Sequence, residues 1–179
     1  MQKKIIGSLV VVFSVLLLSG CGAKKAAVDS NKATSGSQPA AEDLCAVFTK
    51  ESVATITGLD ISSTDLYSDE GSNNSNCRYF ISTKKYAPIV SIGKYAGDAA
   101  VEKAKYDDGK TFKGWKTGTD ARITMDHFIT YNEGGKINDI FLISGKNEYY
   151  RISLYSLNVI NDDQLISLAS QVAQKISGK

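Results

Sequence analysis

One histidine, three cysteines and a scatter of carboxylates are the side chains of this 179-residue chain with the types to do chemistry. His127 has Asp126 beside it, and a histidine and an acid are two parts of a hydrolytic triad. The third part lacks its setting, because no Gly-x-Ser-x-Gly turn occurs to present a nucleophilic serine. A lone histidine at the start of a strand reads as an edge or surface residue. Gly109-Lys110-Thr111 ends like a phosphate-binding loop. Such a loop needs a glycine five residues earlier and a strand before it, whereas Ala104 stands there and the preceding segment reads as a helix. It is expected to be a polar turn. Asp69, Glu70, Asn73 and Asn76 offer oxygens of the kind calcium takes, without the spacing of a calcium-binding loop. They read as a solvated loop. No catalytic group, metal site or cofactor is expected, and the chain reads as non-enzymatic.

The elements that would position these residues follow from pattern and punctuation. Leu44 to Ile56 reads as a first helix, with Thr49 as an N-cap, Glu51 in the first turn and Gly58 to end it. Asp60 to Asn76 is polar and reads as an exposed loop. Cys77–Ser82 and Ile89–Tyr95 look like paired strands. Asp98 to Tyr106 is a second helix capped by Asp98, with Val101 and Ala104 expected to face inward, and Asp107-Asp108-Gly109 stops it. Lys110 to Thr119 is a loop or short extended piece. His127–Tyr131, Ile137–Ile143 and Tyr149–Leu157 are separated by glycine-bearing turns and read as an antiparallel meander. In the last of these strands, Tyr150, Ile152 and Leu154 point one way and Tyr149, Arg151, Ser153 and Tyr155 the other. A final helix is capped by Asn161, with Gln164 placed for a capping box. Its apolar stripe of Leu165, Leu168, Ala169, Val172 and Ile176 needs a sheet face to cover. These elements predict an α+β domain: an antiparallel sheet with helices packed on one face, including the amphipathic C-terminal helix. The two halves share the order helix then strands, without residue-level self-similarity.

The N-terminus has a different character. Met1 to Lys4 is short and basic, Ile5 to Leu18 is almost wholly apolar, and Ser19-Gly20 supplies small residues. The apolar run of about 14 residues is shorter than the roughly 20 that span a bilayer, and it reads as a signal peptide over residues 1–20. Leu18-Ser19-Gly20-Cys21 resembles the lipobox of bacterial lipoproteins. That resemblance implies cleavage before Cys21 and acylation of Cys21 by palmitate-type chains, and two or three chains give stable anchoring. Residues 21–40 are rich in Ala, Ser, Gly and Lys and read as a flexible tether. Residues 41–179 read as a single globular domain. The partner implied first is thus the membrane, at its extracytoplasmic face. Gly22 is not the aspartate that resembles a Gram-negative inner-membrane retention signal, so an outer membrane is also open there. With Cys21 assigned to lipid, Cys45 and Cys77 remain. An even pair in an exported domain reads as a disulfide. The alternative, a two-cysteine metal site, wants further ligands, and the sole histidine lies 50 residues beyond Cys77.

Asp43-Leu44-Cys45-Ala46-Val47-Phe48-Thr49, with Val53, Gly58 and Cys77-Arg78-Tyr79, is similar to small Gram-positive, especially actinobacterial, lipoproteins of unknown function. Their exported domain opens on an Asp-Pro-Cys-x-Leu-Leu-Thr-type helix start and carries a second cysteine followed by an aromatic. Leu44 stands where those proteins have proline. The resemblance covers about the first 40 residues of the domain and implies an α+β fold and a matched pair in Cys45 and Cys77. It implies no catalytic residues.

The whole chain has 21 basic and 19 acidic residues. Loss of Lys3 and Lys4 leaves 19 against 19, and setting aside Lys24, Lys25, Lys32 and Asp29 leaves 16 against 18. A near-neutral domain lacks the basic face that nucleic acid requires. Nine tyrosines and one tryptophan are many for a domain of this size. Trp115, Tyr131, Tyr149 and Tyr155, with Tyr95, are the candidate interaction surface, since tyrosine joins apolar area to a polar tip. Ordinary strand preference for tyrosine is the plainer account. The leading expectation is a lipid-anchored envelope domain that binds a protein, lipid or cell-wall ligand. The runner-up is a carrier with an apolar pocket between sheet and helices, and a third reading is an envelope hydrolase. An apolar pocket would favour the carrier, and a flat exposed aromatic face would favour interaction.

Overall fold

The computed structural model describes residues 42–68, 73–84 and 86–178. The signal segment 1–20, Cys21, the tether through residue 40, and Asp69 and Glu70 of the polar loop lie outside the described residues.

The described residues begin with two short helices. In α1 (Leu44–Val47) the Asp43 carboxylate accepts from the amides of Cys45 and Ala46. In α2 (Lys50–Thr57) Thr49 accepts from the Ser52 amide, and the helix stops at Gly58. Gly58 has φ +68, a left-handed angle that glycine adopts without steric cost. The single helix expected from Leu44 is broken at Phe48. That residue buries its ring at non-helical angles, and its carbonyl accepts from the Tyr79 hydroxyl.

The remaining elements are β1 (Ile61–Ser68), β2 (Ser75–Ile81), β3 (Val90–Ala96), α3 (Ala99–Asp107), β4 (Lys116–Gly118), β5 (His127–Tyr131), β6 (Ile137–Gly145), β7 (Glu148–Leu154) and α4 (Asp162–Ile176). The seven strands form one sheet in the order β1-β2-β3-β7-β6-β5-β4, and every pairing is antiparallel. Two meanders, β1-β2-β3 and β4-β5-β6-β7, are thus joined by the pairing of β3 with β7. The protein is of the α+β class. Strand β1 occupies part of the segment expected to be a loop. It is an edge strand with only Ile61 buried, and an edge strand keeps a polar sequence because little of it is covered.

Alternation gives the sheet two chemically distinct faces. On the first, Leu66, Cys77, Ile92, Ile152, Ile140 and Ile129 stand in register from β1 to β5. Helix α4 covers this face with Leu165, Leu168, Ala169 and Val172, all at most 1% exposed. Each of the leucines and the valine contributes about 1.5–3 kcal/mol on burial. The capping box at Asn161 and Gln164 is formed in both directions. The Cys45–Cys77 disulfide, with Cα atoms 5.1 Å apart, ties α1 to β2 on the same side.

The expectation of one helical face holds for α1, α2 and α4. Helix α3 packs on the second face, where Ala99 and Tyr106 meet Phe128, Phe141 and Tyr149. Val101 and Ala104 do not face inward: both are exposed, Val101 by 58%. Ala99 and Tyr106 are seven residues apart and share one side of the helix, which turns Val101 and Ala104 outward.

Candidate functional site

The second face of the sheet collects the polar and aromatic residues. One transverse row crosses all seven strands in register: Asp65, Arg78, Ser91, Ser153, Asp139, Thr130 and Thr117. The adjacent row reads Tyr67, Asn76, Gly93, Arg151, Phe141 and Phe128. Ser91, Asp139 and Thr130 are buried, so the centre of this face is polar at depth.

Asp139 anchors that centre. Its side chain is 1% exposed and its Oδ1 accepts from Arg151 Nε at 2.9 Å. Its Oδ2 accepts from Asn138 at 2.8 Å and, at the long distance of 3.5 Å, from the Thr130 hydroxyl. The Arg151 guanidinium also lies 5.3 Å over the Phe141 ring. Burial works against the Arg151 charge, but the hydrogen bond and charge of Asp139 outweigh it and hold the guanidinium above its ordinary pKa. A second closed pair, Arg78 with Asp65, sits nearer the β1 edge, with Arg78 5.3 Å over the Tyr67 ring.

The face has a covered half and an open half. Over β5, β6 and β7, α3 and the following segment build an aromatic cluster of Tyr106, Phe112, Trp115, Phe128, Phe141 and Tyr149. Burial pushes Tyr149 up to about 12, and burial together with the Asp139 charge does the same to Tyr106. Over β1, β2 and β3 no helix lies among the described residues. Tyr67 is 51% exposed there. The Tyr95 ring folds back over Gly93, takes a hydrogen bond from Asn76 at 2.9 Å and stacks on Tyr149 at 5.5 Å. A Cβ on Gly93 would stand 2.5 Å from that ring, so only glycine leaves room for it.

The four aromatics expected to form one surface are divided. Trp115 is half-buried against Tyr106 and Phe112, and Tyr149 is buried between Tyr95 and Phe141. Tyr131 packs on the first face, its ring beside Gly118. Tyr155 is 54% exposed on the second face, its hydroxyl 3.5 Å from Ser91 Oγ. Of the residues that complete the open half with Tyr155, Asp65, Tyr67 and Asn76 fell in the segment read as a loop and Arg78 in the strand expected from Cys77; the structure places Asp65 and Tyr67 in β1 and Asn76 and Arg78 in β2. The only signal for Asn76 and Arg78 is the alternation in Asn76-Cys77-Arg78-Tyr79.

Glu42, the first described residue, accepts from Lys94 at 3.0 Å near the end of β3. Tyr155 lies at the other end, its amide donating to Ile89 just before β3. Five strand residues separate the two ends, about 17 Å.

The remaining candidates have structural partners. His127 Nε2 accepts from the Asp120 amide at 3.0 Å, which leaves Nδ1 to donate to the Met125 carbonyl at 2.8 Å. Both ring nitrogens are thereby held by backbone. The amides of Lys110 and Thr111 donate to the Asp108 carboxylate, which makes Gly109-Lys110-Thr111 a carboxylate-bonded turn. Among the described residues no group of three or more His, Cys, Asp or Glu side chains could hold a metal, and no helix is long and apolar enough to cross a membrane. A concavity of about 150 Å³ opens between Phe48, Tyr150 and Lys175, and another of about 150 Å³ lies between α2 and α4. A more open concavity of about 290 Å³ lies at the start of α4, between Lys136 and residues 157–162, where ordinary ligand pockets begin at about 300 Å³.

The chain matches no protein-family model, no curated protein and no solved structure.

Proposed function

We propose that this chain is a lipid-anchored binding domain of the bacterial cell envelope, tethered through Cys21 at the extracytoplasmic face, that engages its partner with the open half of the second sheet face. The observation that carries the reading is a sheet surface that no helix covers among the described residues, where exposed Tyr67 and Tyr155 flank the ion-paired Arg78 and Asp65. Exposed tyrosine beside arginine is the composition of recognition surfaces. Tyr155 lies at the end of the sheet away from Glu42, the first described residue. The role is non-enzymatic, with no cofactor. The small concavities beneath the helices weigh against a carrier.

The test is site-specific photo-crosslinking in living cells. A benzophenone residue replaces Tyr67, Tyr155 or, as a control on the exposed side of α4, Gln174. The expected result is one common adduct from positions 67 and 155 and none from 174. Equal adducts from all three positions, or none from 67 and 155, would refute the proposal.

A further inference from the structure

We infer that the ligand of the open half-face is a neutral, hydroxyl-rich glycan chain, an inference that rests on reading that half-face as the binding surface.

Charge is the first argument. The two arginines of the face are each closed onto a carboxylate of the same face, Arg78 onto Asp65 and Arg151 onto Asp139. Two cations against two anions leave no net field to draw a polyanion or a cation. The matching partner is uncharged.

Hydrogen-bonding capacity is the second. Asn76 Oδ1 and Arg78 Nε are buried and have no partner in the structure. One is an acceptor and the other a donor, two residues apart on the same side of β2. A hydroxyl donates and accepts at once, so a ligand bearing neighbouring hydroxyls answers both after a small side-chain shift. The Tyr155 hydroxyl, held to Ser91 only at 3.5 Å, adds a third weakly committed group.

Shape is the third. Fully buried Ser91, and Gly93 beneath the Tyr95 ring, underlie this surface in neighbouring register positions, with half-buried Ser153 beside them. Tyr67 and Tyr155 rise beside it with about half their surface exposed. An aromatic ring face beside polar groups fits a pyranose, whose C–H face stacks while its edge hydrogen-bonds. An acyl chain would instead require an apolar floor.

The experiment is retention of the full chain, purified in detergent, on insoluble chitin, cellulose and amylose resin, with heparin resin as the polyanion control. The expected result is retention on at least one neutral glycan that persists in 1 M salt, at least tenfold weaker in Tyr67→Ala and Tyr155→Ala and unchanged in Gln174→Ala. Both tyrosines are half-exposed, so melting temperatures of the variants establish that they remain folded. Retention on none of the neutral glycans, retention abolished by salt, or retention indifferent to both tyrosines overturns the inference. If photo-crosslinking at 67 and 155 captures a protein while the glycans fail, the glycan inference falls and the binding surface stands. If both experiments fail, both fall.

Discussion

Removing the Asp139 carboxylate tests how the second face is built. The side chain is 1% exposed and accepts from Arg151, Asn138 and Thr130. In Asp139→Ala those donors lose their acceptor and the guanidinium loses its counter-charge. Breaking a buried pair in this way costs about 3–5 kcal/mol. Arg151 keeps 34% of its side chain in water, which recovers part of the loss and places the expected cost near 3 kcal/mol. Asp139→Asn retains an acceptor oxygen without the charge and should cost about half as much, in the range of one charged hydrogen bond. Replacing both partners, as Asp139→Leu with Arg151→Met, removes the charge that would otherwise be stranded. It should cost no more than about 1 kcal/mol beyond wild type. Urea unfolding followed by circular dichroism of wild type, Asp139→Leu, Arg151→Met and the double variant closes the double-mutant cycle; with about 3 kcal/mol for each single and about 1 kcal/mol for the double, the expected coupling is about 5 kcal/mol. A cost below about 1 kcal/mol for Asp139→Ala would show that the pair does not organise this face. So would a double variant as unstable as the sum of the singles.

Three further outcomes follow from the same chain. Cys45 and Cys77 close a loop 32 residues apart in sequence, so the Cys45→Ala/Cys77→Ala variant should lose about 3–4 kcal/mol. That is roughly 10–15 °C in melting temperature, and a shift under a few degrees would refute the loop-entropy account. Gly93→Ala places a Cβ 2.5 Å from the Tyr95 ring and should cost about 1–3 kcal/mol. An unchanged melting temperature, or an unshifted Tyr95 ring resonance, would contradict the packing described. Cys21→Ala should either release the domain to the aqueous phase in a phase-partition assay or leave the chain unprocessed by mass, and continued detergent partitioning with normal maturation would end the lipoprotein reading.

The features legible in the sequence were those whose cause is local. Thr49, Asp98 and Asn161 each cap a helix because their side chains reach amides two or three residues on, and that reach is visible as spacing. Glycine-bearing turns between apolar runs marked the β5-β6-β7 meander for the same reason. What failed was set by tertiary coverage. Strand β1 carries Ser62, Ser63, Thr64 and Asp65 in a row because one of its edges is unpaired and most of its surface wet, so its composition reads as loop. Helix α3 is short and rich in alanine and lysine. Its apolar pattern was too weak to say that Ala99 and Tyr106, rather than Val101 and Ala104, would turn inward.

The candidate site depends on register, which is why only half of it was visible. Alternation in β7 placed Tyr149, Arg151, Ser153 and Tyr155 on one side from sequence alone. Nothing local brings Ser153 beside Ser91, 62 residues away, or carries that row on to Arg78 and Asp65. A slip of one residue in the β3–β7 pairing would send every one of these side chains to the other face. The apolar row centred on Ile92 and Ile152 forbids that slip, because α4 needs it as its floor. The strongest amphipathic helix therefore fixes which face is covered and, by exclusion, which is left. Only α3 remains for the second face, and its nine residues make a helix about 13 Å long and about 10 Å wide. The sheet it faces is about 29 Å across from β1 to β4, at about 4.8 Å per strand spacing. Helix α3 and its aromatic extension cover the β5-β6-β7 side, and the β1-β2-β3 side stays open because the chain has no further helix to place there among the described residues. The exposed tyrosines are a consequence of that shortfall in cover.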